Sequence, residues 1–139
     1  MCIRDSYNTY AYVIDQETVA GKPTVLGFAQ NMKTGALTPL SSTTTTSAGL
    51  LQGVAAGVTP SAIAVDGTAS FVYVTDQETN QIYGYNIARS TTGNLTAMPS
   101  SPFGTGALPV SIIVDPRAEY VYTANSNAGT VGALSLIHI

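Results

Sequence analysis

Residues 57–98 read GVTPSAIAVDGTASFVYVTDQETNQIYGYNIARSTTGNLTAM, and this stretch decides the fold because it recurs. GVTPSAIAVD at Gly57 returns as GALPVSIIVD at Gly106, and FVYVTD at Phe71 returns as YVYTAN at Tyr120. Upstream, AYVIDQET at Ala11 matches VYVTDQET at Val72. Pro60 and Pro109, Asp66 and Asp115, and Tyr73 and Tyr122 are each 49 residues apart, so one offset holds through three landmarks. A fixed period of this length marks a repeat architecture, in which each copy is a supersecondary unit stacked on the next.

Within one copy the apolar runs predict four short strands, at Ser61–Val65, Phe71–Thr75, Gln81–Ile87 and Leu95–Met98. β-Branched and aromatic residues fill them, and Gly, Pro, Asn and Asp punctuate the gaps. Asp66-Gly67 and Asp115-Pro116 suit turns between first and second strands, and Thr92-Gly93-Asn94 suits the turn into the fourth. No window shows helical periodicity. The upstream copy is longer: Tyr12 leads Tyr73 by 61 residues, VLGF at Val25 leads IYGY at Ile82 by 57, and GALT at Gly35 leads GNLT at Gly93 by 58. The extra residues therefore sit near Ala20–Pro23 and in SSTTTTSAGLLQGVAAG after Leu40, between strands, where loops tolerate them. Ala62–Val65 and Phe71–Val74 are apolar at consecutive positions, the pattern of a sheet covered on both faces.

The terminal hexapeptides MCIRDS and LSLIHI stand outside the repeat. As codons they can be written ATG-TGT-ATA-AGA-GAC-AG(N) and CTG-TCT-CTT-ATA-CAC-AT(N), which are reverse complements, and they resemble the mosaic end of a transposase-type sequencing adapter read from both flanks. The expectation is that residues 1–6 and 134–139 are adapter-derived scars around an internal fragment. The remaining divisions are 7–56, the last three strands of one unit with a long loop; 57–105, a complete unit; and 106–133, the first two strands of a third. The only cysteine (Cys2) and the only histidine (His138) fall in the scars.

Residues 7–133 carry four basic side chains, Lys22, Lys33, Arg89 and Arg117, against seven acidic ones. Such a stretch has no basic patch to neutralise phosphates, which argues against nucleic acid and anionic membranes as partners. No apolar run reaches the roughly 18 residues of a membrane span. Without Cys there is no disulfide and no cysteine-ligated metal, and no metal or cofactor is expected. Low charge with abundant Thr, Ser, Gly, Ala and Tyr points to a periplasmic or extracellular protein, with the cytoplasm as the alternative.

Four strands per 40–50 residues is the signature of a β-propeller, an all-β ring of radially stacked blades. The runs P-x-x-I-x-V-D, VYVT-[DN], I-Y-G-Y-N-I, G-x-L-T and S-P-F-G-T-G-x-x-P resemble the lactonase-type, or YVTN, seven-bladed propeller across residues 7–133. The resemblance implies that about two-fifths of a ring is present. It also implies the activity of the 6-phosphogluconolactonase-like members, lactone hydrolysis at one mouth by acid–base groups drawn from several blades, with arginines holding an anionic substrate. None of those positions can be matched here, so the catalytic residues stay unknown. The alternative is a non-catalytic surface or periplasmic propeller whose loops bind a partner. A small lactone or sugar-like ligand and the missing blades of the parent chain are the expected partners. Exposed blade faces predict that residues 7–133 alone aggregate or stay partly unfolded.

Gly104-Thr105-Gly106 leads to Pro109 and a strand rather than to a helix, so it is expected to connect units and not to cradle phosphate. Asp15/Glu17 and Asp76/Glu78 repeat the motif DQET, and paired carboxylates can serve acid–base chemistry or calcium. Asn125 replaces the aspartate in the third copy, so the expected role is a turn that every copy fills. Arg89 and Arg117 could each clamp an anion but do not occupy matching positions. Asn94-Leu95-Thr96 is a glycosylation sequon at a strand start, taken as coincidence. Tyr73, Tyr83, Tyr85, Tyr120 and Tyr122 are expected to pack between blades. No Ser/His or Cys/His pair can be assembled from residues 7–133.

Overall fold

The computed structural model describes the backbone of residues 2–4, 9–19, 22–89 and 91–136, with side chains at 10–16, 22–89 and 91–136. It is built of strands: three antiparallel sheets follow one another along the chain, as the repeat requires. The second sheet is the reference unit. Its strands β8 (Pro60–Val65), β9 (Phe71–Asp76), β10 (Gln81–Ile87) and β11 (Leu95–Ala97) lie in sequence order. All four match the sequence expectation to within one residue at each end.

The first sheet orders β1 (Cys2–Arg4), β2 (Thr9–Val19), β3 (Lys22–Gln30) and β4 (Leu37–Pro39) in the same way. The inserted loop is not featureless: β5 (Thr44–Thr45) and β6 (Leu51–Gln52) form a small hairpin, and β7 (Val54–Ala55) returns along β3. The equivalent connection in the second sheet is β12 (Phe103–Gly104), which returns along β10. These short returning strands were not anticipated from sequence, because two residues carry no periodicity.

The third sheet contains β13 (Pro109–Val114), β14 (Tyr120–Asn125) and β15 (Thr130–Ser135). Two strands were expected here, and the structure has three. Thr130 lies 49 residues after Gln81, and it pairs with Asn125 as Gln81 pairs with Asp76, so the offset carries straight through the missed strand. Two regions set aside as scars are also paired. Cys2–Arg4 lies against β2 where β8 lies against β9, and β15 runs on to Ser135. Ladder bonds use backbone groups alone, so an open strand edge accepts an extended segment of almost any sequence.

The repeat extends to backbone detail. Pro60 pairs with Asp76 and Pro109 with Asn125, each followed by the same register shift. Ala69 and Ala118 both take φ 54°, and Asn80 and Gly129 take φ 56° and 59°. One core, with Tyr12, Val25, Leu40, Val72, Val74, Tyr85 and Ile87, fills the space between the first and second sheets. Another, with Ala64, Tyr73, Ile82, Phe103, Ile112 and Val121, fills the space between the second and third. Among the described residues the far face of the third sheet has no such cover: Ile82 is 1% exposed, whereas Val131, its repeat equivalent, is 74% exposed. β14 accordingly alternates buried and exposed residues where β9 is buried almost throughout.

Candidate functional site

Antiparallel strands place the starts of β8 and β13 and the ends of β9 and β14 at one rim of the stack, where the repeated DQET acids fall. Asp76 is fully buried there and accepts four backbone N–H bonds. Val58 and Thr59 donate to Oδ2, Thr59 at 3.2 Å, while Glu78 and Thr79 donate to Oδ1 at 2.9 and 3.1 Å. Burial opposes ionisation of Asp76, but the donors from Val58, Thr79, Thr59 and Glu78 outweigh it and hold the carboxyl below its ordinary pKa. An ionised carboxylate with both oxygens committed to the turn cannot act as a proton acceptor. Glu78 is separate from it: exposed, it accepts a hydrogen bond from Thr59 Oγ1 at 3.0 Å. In the first copy Asp15 holds the equivalent strand position, and the Glu17 side chain lies outside the described residues.

In the third copy Asn125 takes the place of Asp76 with different partners. Its Nδ2 donates to Thr130 Oγ1 at 3.4 Å and its Oδ1 accepts from Thr105 Oγ1 at 3.3 Å. Thr105 Oγ1 also lies 2.7 Å from Thr123 Oγ1, and Thr105 N donates to Asn80 O, so the Gly104–Gly106 segment is a connection sewn between sheets. Ser61 Oγ donates to Pro109 O at 2.6 Å and Gln16 Nε2 to Pro60 O at 2.8 Å, tying each first strand to its neighbouring sheet. Contacts between repeats leave no local sequence signal, and these were missed.

At the opposite rim, Asp66 and Asp115 staple identical turns. Asp66 Oδ1 accepts from Ser70 N and Phe71 N, both at 2.7 Å, and Asp115 Oδ1 accepts from Glu119 N and Tyr120 N at 2.6 and 3.0 Å. The Tyr120 backbone donor, joined by those of Glu119 and Arg117 and by the Arg117 charge, lowers the Asp115 pKa against the opposing desolvation. Arg89 Nη1 donates to Thr68 O at 2.6 Å, whereas Arg117 is exposed on its turn, so the two arginines form no clamp. The sequon Asn94 is engaged as well: its Oδ1 accepts from Ser42 N at 3.1 Å and its Nδ2 donates to Ser41 Oγ at 2.7 Å.

The tyrosines divide by surroundings. Tyr12 OH donates to Gly93 O at 2.5 Å, and Tyr85 OH donates to Ala55 O. Desolvation raises the pKa of both, with Tyr10 and Tyr83 adding a smaller push respectively, and raises that of Tyr73 to about 12, helped by Asp66. Tyr83 is partly buried against the first core, while Tyr120 and Tyr122 stack at 6.1 Å on the open face. A cavity of about 240 Å³ opens beside Phe71, Tyr73, Asn86 and Met98. Among the described residues no three His, Cys, Asp or Glu side chains gather to hold a metal, and no helix is long and apolar enough to cross a membrane.

A profile of the family described as Lactonase, 7-bladed beta-propeller, matches residues 23–138. The chain belongs to this family. Its three successive sheets are blades of a propeller. In sequence, no curated protein matches the chain. Among solved structures, a candidate 6-phosphogluconolactonase from Bacteroides fragilis superposes with TM-score 0.71 at 17% identity, over 97% of this chain and 34% of that one. Hydrazine synthase of Kuenenia stuttgartiensis gives TM-score 0.54 at 17% identity over 92% and 42%. A candidate 6-phosphogluconolactonase from Bacteroides uniformis gives 0.50 at 12% identity over 92% and 50%. These likenesses share the fold, and the chain spans about a third of the Bacteroides fragilis structure.

Proposed function

We propose that the whole protein hydrolyses a lactone at one mouth of its propeller, and that the blades described here form scaffold and wall for that mouth. The family match over residues 23–138 carries this reading. In such a reaction water adds to the ring carbonyl, the ring C–O bond breaks and a proton passes to the leaving alkoxide, which calls for acid–base groups and an oxyanion donor. At the DQET rim the exposed side chains suited to ligand contact are Glu78 and Thr59, which bond each other, while Asp76 is committed to structure. The remaining catalytic groups come from blades beyond this stretch. We further place the protein in the periplasm or outside the cell, on its low charge and its Thr/Ser-rich composition.

The test is to follow acid release from 6-phosphogluconolactone by the whole protein, against the spontaneous rate. Acceleration with saturation by substrate is expected. Saturable binding without acceleration would instead mark a binding propeller. Neither binding nor acceleration with any lactone tried would end the lactonase reading.

A further inference from the structure

A cavity of about 70 Å³ lies between the second and third blades, bounded by Ile82 and Gly104 on one side and by Thr123 and Gly132 on the other. The repeat shows how it arises. Gly132 stands opposite Thr123 on the ladder between β14 and β15, as Tyr83 stands opposite Val74 between β9 and β10. At the junction of the first and second blades, Tyr83 packs against the core that contains Ala56 and Val74. Residues directly opposite on an antiparallel pair share one face of the sheet, so glycine at 132 leaves the volume of that ring unfilled at the next junction.

Loss of a ring by itself would leave an apolar void. Here the walls have changed with it: Thr105 stands 49 residues after Ala56, Thr123 after Val74 and Asn125 after Asp76. Thr123 and Asn125 are both buried. A Cβ added to Gly132 would stand 2.6 Å from Thr123 Oγ1 and 3.2 Å from both Thr105 Oγ1 and Asn125 Nδ2, so three polar atoms converge on this bare stretch of backbone. Their protons can be placed. Thr105 Oγ1 donates to Asn125 Oδ1 at 3.3 Å, so it accepts in its 2.7 Å bond with Thr123 Oγ1. Asn125 Nδ2 gives one proton to Thr130 Oγ1 at 3.4 Å. Among the described residues this leaves a second Asn125 N–H and the accepting side of Thr123 Oγ1 beside Gly132.

We propose that the cavity is a subsite for the terminal diol of an uncharged polyol, one of whose hydroxyls accepts from Asn125 Nδ2 and donates to Thr123 Oγ1. A hydroxyl is the group that donates and accepts through a single oxygen, which is what these two neighbours call for. No charged side chain lines the cavity, so a carboxylate or phosphate would lose its hydration there without a countercharge. The volume holds about two waters at their share of ~30 Å³ each, and it is too small for a sugar ring. A diol reproduces the hydrogen bonds of the waters it displaces and adds contact between its carbons and Ile82. Gly104 leaves the way in open, since a Cβ there would meet nothing within 4 Å. The subsite carries no bond-making step, and it stands whether or not the mouth hydrolyses a lactone.

The test titrates erythritol, an uncharged polyol, into the whole protein and follows it by saturation-transfer NMR, with circular dichroism confirming that each variant is folded. Saturable binding is expected, strongest at the terminal CH2 protons. Thr123→Val, which restores the residue type of Val74, should weaken it roughly fivefold through loss of one hydrogen bond. Gly132→Tyr, which restores the ring of Tyr83, should abolish it. Should Gly132→Tyr not fold, Gly132→Ala takes its place with the same expectation, because its methyl meets Thr123 Oγ1. Tartrate, which carries carboxylates where erythritol has hydroxymethyls, should not compete. Absence of saturable binding would mean that the cavity holds water only, and it overturns the proposal. Binding unchanged by Thr123→Val and the Gly132 variant, or displaced by tartrate, overturns it as well.

Discussion

Replacing Asp76 isolates what the repeated acid does. Its two oxygens receive backbone N–H groups of Val58, Thr59, Glu78 and Thr79 with no exposure to solvent. A hydrogen bond to a charged acceptor is worth about 1.5–3 kcal/mol, but Val58, Thr59 and Glu78 are exposed residues whose N–H groups can turn to water, so roughly 1 kcal/mol each is appropriate. Asp76→Ala is then expected to cost about 4 kcal/mol, a third or more of the stability of an ordinary domain. Asp76→Asn keeps one acceptor oxygen but turns an amino group toward two donors, and about 2–3 kcal/mol is expected. The third blade tolerates Asn125 because the donors there are redirected, Leu108 N going to Asn80 Oδ1 at 2.8 Å. The folded pKa of Asp76 lies below its ordinary 3.8, so its stabilisation is complete above that value and drains away as pH falls through the lowered folded value. Urea unfolding at neutral pH and on acidification reads both effects, and the gap between the native chain and Asp76→Asn should close in acid. An Asp76→Asn chain as stable as the native one at neutral pH would refute the assignment of this acid to the turn.

Tyr12→Phe should destabilise by about 1 kcal/mol in the same assay, through loss of the bond to Gly93 O. Raised pKa values at Tyr12, Tyr73 and Tyr85 mean that their neutral forms are favoured in the fold, so stability is full below pH 10 and declines as pH rises toward and past 12, which denaturation on alkaline titration will show. Gly84→Ala sets a new Cβ 2.7 Å from Met98 Sδ and 3.0 Å from the Phe103 ring and should cost about 1–3 kcal/mol, whereas at Gly104 the same change meets nothing within 4 Å and should be neutral. Expression through a eukaryotic secretory route should leave Asn94 unglycosylated, since its amide is bonded to Ser41; mass spectrometry decides. Ile82→Ala should cost about 2–5 kcal/mol, while Val131→Lys at the exposed equivalent should leave stability unchanged and reduce self-association in sedimentation.

The architecture was legible because the repeat writes it several times. Strand order, the turns at Asp66 and Asp115, and the structural role of Asp76 all follow from positions that two or three copies share. What escaped reading lacks that redundancy. β12 and β7 are too short to show a period, and β15 was cut by setting aside its last two residues, although its 49-residue register was available. The hydrogen bonds from Ser61 to Pro109 and from Gln16 to Pro60 join different copies, so no local motif could announce them.

The same redundancy explains why the chemistry stayed dark. A position filled alike in every blade serves the blade, because a stacked unit needs the same turn wherever it stands. A site for one ligand has no such symmetry, and its residues must sit where equivalent positions differ. On the DQET rim those differences are specific: Thr59 is replaced by Leu108 in the next copy, and Glu78 by Asn127. Thr59 and Glu78 bond each other within one blade, whereas the third blade puts Leu108 N onto Asn80 instead. Glu78 itself repeats Glu17 of the first copy, so it is the third blade that departs here, and any ligand contact the second blade makes at this rim falls to the exposed Glu78 and Thr59 rather than to the buried Asp76.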